Sequence, residues 1–283
     1  MLRNVKNYHR PTTAEDAVAL VQSNPNAVYL GGGAWTVAQG DATLETVVDL
    51  QNAGLDEIKG TLDGVFIGAT ATLQEIIDHA DAGRVADGLL STAAGYTQSR
   101  NLREQGTLGG ALIVAGPADP LTTALLVLDA EIKYADPALH TAPFASFVAY
   151  RDRLIKTRVL LTQVIVKRPP ARSSAAFEVV GRSPKDKPIV CAAAYIAVDE
   201  GLPAALRITV GGAAAQPVRL HKAEHLLKGK LLTEEKVAAA LAPVIEELEP
   251  VADFRGSEAY RREMAAVLAR RATLKAWGQA RRR

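Results

Sequence analysis

Two glycine-rich segments carry the strongest chemical signal in the sequence: Leu30-Gly31-Gly32-Gly33-Ala34-Trp35-Thr36, directly after a short apolar run, and Gly106-Thr107-Leu108-Gly109-Gly110-Ala111, inside a polar stretch. Glycine permits positive φ and removes the Cβ that would keep a ligand from the backbone. Successive backbone N–H groups in such turns form an anion-binding concavity. Two of them converging on one point would suit a diphosphate; the bland alternative is a pair of tight turns. Neither segment spells G-x-G-x-x-G, because Thr36 stands where the third glycine belongs, and neither is the lysine-bearing phosphate loop. A standard dinucleotide fold is therefore not supported. Trp35 either lines a ligand site or anchors its own loop.

Other residues invite chemistry less strongly. His221-Lys222-Ala223-Glu224-His225 spells H-x-x-E-H, the inverted zinc-protease pattern. A zinc site needs a third protein ligand beyond that motif, and the flanking residues read as an ordinary amphipathic helix ending at Gly229. No metal site is expected. The single cysteine, Cys191, sits in an apolar run and reads as a small core residue. Arg270, Arg271 and the arginines at 281–283 form a basic tail suited to a helix C-terminus or to a docking surface.

The elements that must hold these residues follow from periodicity and caps. Residues 12–23 form an amphipathic helix capped by Thr12 or Thr13, 27–30 a strand running into the glycines, and 46–50 a second strand. That makes a β-α-β-like unit up to about residue 55. A strand at 65–68, a helix from Thr72 through His79, a small-residue helix near 84–95 and a polar loop over 96–110 come next. Residues 119–128 read as a helix, and 131–135 and 158–166 as strands. The basic, proline-bearing stretch at 167–172 is the expected domain boundary. Beyond it, strands at 175–180, 189–198 and 205–211 precede helices near 219–227, 233–247 and 257–277, an α+β module. The expected domains are 1–170, with subdomains of about 1–57 and 58–170, and 171–283.

Composition closes off several classes. The 283 residues carry 33 Lys+Arg against 31 Asp+Glu, a formal charge of +2, so nothing draws the chain generally to nucleic acid or acidic membranes. One cysteine makes no internal disulfide and cannot ligate an iron–sulfur cluster or a structural zinc by itself. The polar N-terminus shows no secretory signal, and the ten-residue apolar run over 189–198 is too short to span a bilayer. A cytoplasmic protein without direct membrane insertion is expected.

At these residues the chain resembles the FAD-binding medium subunits of molybdenum hydroxylases, the family of the carbon monoxide dehydrogenase flavoprotein and the flavin portion of xanthine dehydrogenase. The likeness begins with Tyr8-His9-Arg10-Pro11 and the glycine loop at 31–35. It continues through Ile67-Gly68-Ala69-Thr70-Ala71-Thr72-Leu73 and through Leu102-Arg103-Glu104-Gln105-Gly106-Thr107-Leu108-Gly109-Gly110-Ala111, similar to I-R-N-x-x-T-[IL]-G-G-N. Pro117-Ala118-Asp119-Pro120-Leu121 is similar to P-A-S-D-L. The most specific string is Asp253-Phe254-Arg255-Gly256-Ser257-Glu258-Ala259-Tyr260-Arg261-Arg262.

The resemblance implies a mixed α+β architecture: a two-subdomain FAD-binding fold of the PCMH type, then a small α+β domain with an antiparallel sheet and helices. It implies FAD held by Leu30, Gly31, Gly32, Gly33, Ala34 and Trp35, with Thr107, Gly109, Gly110 and Ala111, their backbone amides facing the diphosphate. Ile67 and Leu102, from the matching motifs, are counted among the cofactor-binding residues, Asp119 is placed at the adenosine end, and Lys187 and Ile189 near the flavin ring, on the loop after Arg182. The implied role is electron transfer beside a molybdopterin-binding large subunit and a small [2Fe-2S] subunit, toward an external acceptor, with no catalytic acid or base in this chain. Trp35, Glu104 and Ala111 depart from the family pattern. Two alternatives stay open: a self-contained FAD oxidoreductase of the same flavin-binding fold, and a flavin-free scaffold subunit.

Overall fold

A computed structural model describes residues 2–96, 99–183 and 186–283. From the N-terminus run β1 (Asn7–His9), α1 (Ala14–Gln22), β2 (Ala27–Leu30), α2 (Thr36–Gln39), β3 (Thr46–Asp49), β4 (Ile58–Gly60) and β5 (Gly64–Gly68). Then come α3 (Leu73–Asp78), α4 (Val85–Gly95), α5 (Arg100–Gln105), α6 (Leu108–Ile113) and α7 (Pro120–Val127). They lead to β6 (Glu131–Asp136), β7 (Ala138–Pro143), α8 (Phe144–Lys156) and β8 (Leu160–Lys167). The chain finishes with β9 (Ser173–Val180), β10 (Val190–Asp199), β11 (Leu202–Gly211), β12 (Val218–Arg219), α9 (His221–Leu227), α10 (Glu234–Glu246) and α11 (Glu258–Ala280). Contacts divide these elements into two compact units, each drawn from several stretches of chain.

The first unit comprises Met1–Ala82, Ser99–Val114 and Ala130–Val166. Its three-stranded sheet has the order β1-β3-β2, and β3 pairs in parallel with both neighbours. The central strand β3 is buried at every residue, as a strand covered on both faces must be. Thr13 caps α1 by accepting from the Asp16 N–H, and Ala17, Val18 and Val21 bury the inner face of that helix. The second sheet of the unit has the order β4-β5-β8-β6-β7, with a bulge where β6 meets β8 at Lys133 and Tyr134. A reciprocal pair of bonds between Thr72 and Glu75 starts α3.

The second unit comprises Gly83–Gln98, Ala115–Asp129 and Lys167–Arg283. Its sheet is antiparallel throughout, in the order β12-β11-β10-β9. Side chains alternate along β10: Ala192, Ala194, Ile196 and Val198 enter a core shared with Leu241 of α10 and Ala269, Ala272 and Trp277 of α11. On the other face, Cys191 meets the Thr123 hydroxyl of α7 at 3.3 Å.

The structure departs from the sequence expectations in several places. The polar loop expected over 96–110 contains α5 and runs into the start of α6; Thr97 and Gln98 of that stretch lie outside the described residues. An Arg100–Glu104 ion pair at 2.9 Å, one turn apart, supports α5, and Thr107 caps α6 by accepting from the Gly110 N–H. The helix expected near 84–95 is present as α4, but Ala86, Asp87 and Gly88 take φ of 50, 61 and 74°, so regular turns begin only after Gly88. Tertiary bonds hold that left-handed step: the Asp87 carboxylate accepts from the Ser174 hydroxyl and the Ala175 N–H and pairs with Arg283. The short exposed strands β1 and β7 and the helix α8 have no counterpart in the sequence reading.

Candidate functional site

Strand β2 ends at Leu30, level with Asp49 of β3, and the chain leaves the sheet as the first glycine segment. Gly33 turns it with φ +75°, in the left-handed region that glycine enters without strain. Trp35 then leads into the single turn of α2, whose Val37 N–H donates to the Gly33 carbonyl at 3.0 Å. The backbone N–H groups of Gly32, Gly33, Ala34 and Trp35 donate to nothing among the described residues. Gly31 and Gly32 are exposed, and no ionisable side chain occurs between residues 30 and 39. Such a row of open amides binds an anion by donation from fixed partial charges.

The second glycine segment stands directly against the first. A Cβ on Gly32 would lie 1.4 Å from the Gln105 carbonyl oxygen, and one on Gly31 would lie 2.8 Å from the Thr107 hydroxyl. Gly32 must be glycine for the two backbones to approach this closely, and Gly31 leaves room for the Thr107 side chain. Gly109 is less tightly constrained, since its Cβ would come 3.0 Å from the Ala69 carbonyl. The structure therefore brings Leu30, Gly31, Gly32, Gly33, Ala34 and Trp35 together with Thr107, Gly109, Gly110 and Ala111 in one part of the first unit.

The two segments differ in what their amides do. The Leu108 and Gly109 N–H groups donate to the Ala71 and Ala69 carbonyls at 2.9 and 2.8 Å. That of Gly110 donates to the Thr107 hydroxyl at 3.2 Å and that of Ala111 to the Thr107 carbonyl at 2.9 Å. These donors are spent inside the protein, whereas the first segment keeps its donors open. Gln105, whose carbonyl forms the wall against Gly32, is absent from the sequence candidates; only the long-range pairing of Thr72 with Thr107 that positions it could have pointed there.

Trp35 is 50% exposed and makes no ring contact or side-chain hydrogen bond among the described residues. Half of its surface is therefore open at the glycine loop. Leu102, on α5, is also exposed, whereas Ile67 is fully buried within β5 and supports the sheet from inside. The remaining candidates belong to the second unit. Asp119 caps α7, accepting from the Thr122 N–H and hydroxyl, both at 2.7 Å. Ile189 is a core residue whose carbonyl accepts from Arg261 at 2.7 Å, and Lys187 is exposed. Pro184 and Lys185, on the loop after Arg182, lie outside the described residues.

The other chemical motifs resolve into structure. Glu224 is buried, and its carboxylate accepts from the Ile208 N–H at 2.9 Å and from Arg219 Nη2 at 2.8 Å, while the His221 side chain stands 72% exposed beside it. Glu224 thus binds strand to helix. No group of three or more His, Cys, Asp or Glu side chains suited to a metal occurs among the described residues. Burial pushes the Cys191 thiol up to about 12, against the opposing hydrogen bond from Thr123, so it stays an unreactive thiol. Arg281 lies over the Trp277 ring, and Arg283 reaches the Ser173 carbonyl at 2.8 Å. No helix among the described residues is long and apolar enough to cross a membrane.

Comparison with known proteins covers nearly the whole chain. Residues 3–169 match the model of the FAD binding domain in molybdopterin dehydrogenase, and residues 175–276 that of the CO dehydrogenase flavoprotein C-terminal domain. The protein YgfM of Escherichia coli K12 is 30% identical over 268 residues, covering 93% of each chain. The xanthine dehydrogenase FAD-binding subunit of Escherichia coli O157:H7 is 26% identical over 90% of each chain. Among solved structures, a carbon monoxide dehydrogenase chain from Hydrogenophaga pseudoflava superposes with a TM-score of 0.89 at 25% identity over 99% of each chain.

Proposed function

Since the chain belongs to the FAD-binding medium-subunit family of molybdenum hydroxylases, we propose that it serves as the electron-transfer subunit of a heteromeric dehydrogenase. Its partners in this reading are a molybdopterin-binding large subunit and a small [2Fe-2S] subunit, with an external acceptor receiving the electrons. FAD, when bound, supplies a centre that takes up electrons singly and releases them as a pair. The task of this chain is to bind and orient that group, so no general acid or base is assigned to it.

The open N–H groups of Gly32, Gly33, Ala34 and Trp35 are the proposed donors to the diphosphate. Gly31 and Gly32 let the 105–107 turn close against the loop, and that contact fixes the direction in which the amides point. Preorganised donors cost nothing to align when the ligand arrives. The observation that carries the proposal is this pairing of an unpartnered amide row with glycines whose Cβ positions are already filled by neighbouring protein atoms.

Purification of the full chain tests it. The expected product is yellow, releases FAD on acid denaturation, and holds about one flavin per chain. A colourless chain that FAD cannot reconstitute overturns the flavoprotein reading. Co-expression with molybdopterin-binding and multi-cysteine partner chains should yield a complex that oxidises an organic substrate, whereas turnover by the isolated chain would sink the electron-transfer assignment.

A further inference from the structure

The C-terminal end of the three-stranded parallel sheet carries a charged cluster that the proposed function does not use. Registers run level across it: His9 pairs with Val48 and Val48 with Tyr29, and one step on Asp49 stands beside Leu30. Arg10 directly follows β1, and its side chain reaches Asp49 at the end of β3, the residue that stands beside Leu30 at the end of β2. Ligands of parallel sheets gather at that end. With about 4.8 Å between neighbouring strands, β1 and β2 stand about 10 Å apart across β3, and the Arg10 side chain crosses the first of these two spacings to meet Asp49.

Asp49 is only 6% exposed at its side chain, and both of its oxygens have partners. Its Oδ1 accepts from the Gln51 N–H at 3.0 Å, and its Oδ2 accepts from the Tyr8 hydroxyl and faces Arg10 Nε at 3.3 Å. The Arg10 guanidinium also lies over the Tyr8 ring, 5.4 Å from its centroid. Unlike Asp49, the Arg10 side chain stays 55% exposed. A guanidinium has five N–H donors, and its contacts with Asp49 and the Tyr8 hydroxyl leave others over.

We propose that Arg10 supplies the fixed positive charge for the diphosphate of the bound dinucleotide, and that Asp49 and Tyr8 are positioning residues that hold its guanidinium at the mouth of the glycine loop. This rests on reading residues 30–36 as the diphosphate cradle. The need is electrostatic: that loop offers partial charges alone, and a diphosphate brings two full negative ones. Arginine meets phosphate oxygens in pairs and keeps its charge at any working pH. The competing role is a plain counter-ion to Asp49, which would leave flavin binding untouched.

The test titrates FAD into the apo form of the full chain, comparing wild type with Arg10→Gln and Arg10→Lys at low and high salt, with melting temperatures of the apo forms alongside. Arg10→Gln is expected to bind FAD on the order of tenfold to a hundredfold more weakly, with a shallower dependence on salt, beyond the modest fall in apo melting temperature that loss of the Asp49 ion pair brings. Arg10→Lys should recover part of the affinity and restore the salt dependence. Wild-type affinity in Arg10→Gln overturns the proposal, and so does a loss shared by both variants with the wild-type salt dependence and a lowered melting temperature. A wild-type chain that does not take up FAD defeats the cradle reading itself, a failure visible before any variant is made.

Discussion

Gly32 is the residue at which a single methyl group should matter most. Its Cβ would meet a backbone carbonyl at 1.4 Å, and no rotamer change can move a carbonyl aside. Gly32→Ala must part the 31–35 loop from the 105–107 turn and scatter the amides that point at the ligand. FAD affinity measured by titration should fall at least about tenfold, with the sheet itself intact by circular dichroism; unchanged affinity would remove the glycine contact from the site. Trp35 offers an independent reading. It is half exposed, and the only other tryptophan, Trp277, is 5% exposed in the core of the second unit. FAD should quench the long-wavelength, solvent-exposed part of the tryptophan emission, and Trp35→Phe should abolish that change while leaving the emission of Trp277. The spacing of the glycines was legible in the sequence because glycine announces close approach. Which amides remain open was not, because the Ala69 and Ala71 carbonyls that consume the Leu108 and Gly109 donors lie far back along the chain.

At the scale of elements, caps decide where the site's walls begin. The Thr107 hydroxyl starts α6 and also stands against Gly31, whereas Asp119 starts α7 through two bonds to Thr122. The sequence resemblance assigns Asp119 to adenosine; the structure gives it a capping role, and the two make different predictions. Asp119→Asn keeps a good cap and Asp119→Ala removes it, so urea unfolding should show a loss of about 1 kcal/mol for alanine and little for asparagine. If asparagine, with its stability intact, also weakens FAD binding, the carboxylate itself touches the ligand. Strongly patterned elements such as α1 and α3 were readable from their caps and apolar spacing. Helix α5 was not, since it has six residues with none buried, and so short a helix is held by its surroundings, not by propensity. Strand β7 escaped for the same reason: its residues are almost all exposed, and only pairing with β6 makes it a strand.

On the scale of the whole chain, the division into contact units shows what local patterning leaves out. Helices α4 and α7 cluster with the C-terminal antiparallel sheet, though they arise between elements of the first unit. The most specific string in the sequence, residues 253–262, turns out to be a clamp within the second unit. Arg261, 4% exposed, donates to the Ile189 and Gly212 carbonyls and pairs with Asp253 at 2.6 Å, tying α11 to the start of β10. Burial works against the Asp253 carboxylate, but the Arg255 N–H and the Arg255 and Arg261 guanidiniums outweigh it and hold the carboxyl well below its ordinary value of 3.8. The folded state therefore releases that proton more readily than the unfolded chain does. The resulting stabilisation is complete above the unfolded value and disappears as pH falls through the folded one. Replacement by Asp253→Asn should lower the melting temperature near neutral pH, and the gap to wild type should hold down to about pH 5 and narrow below it. A gap that stays constant into strong acid would mean that the clamp depends on the shape of the side chain and not on its charge.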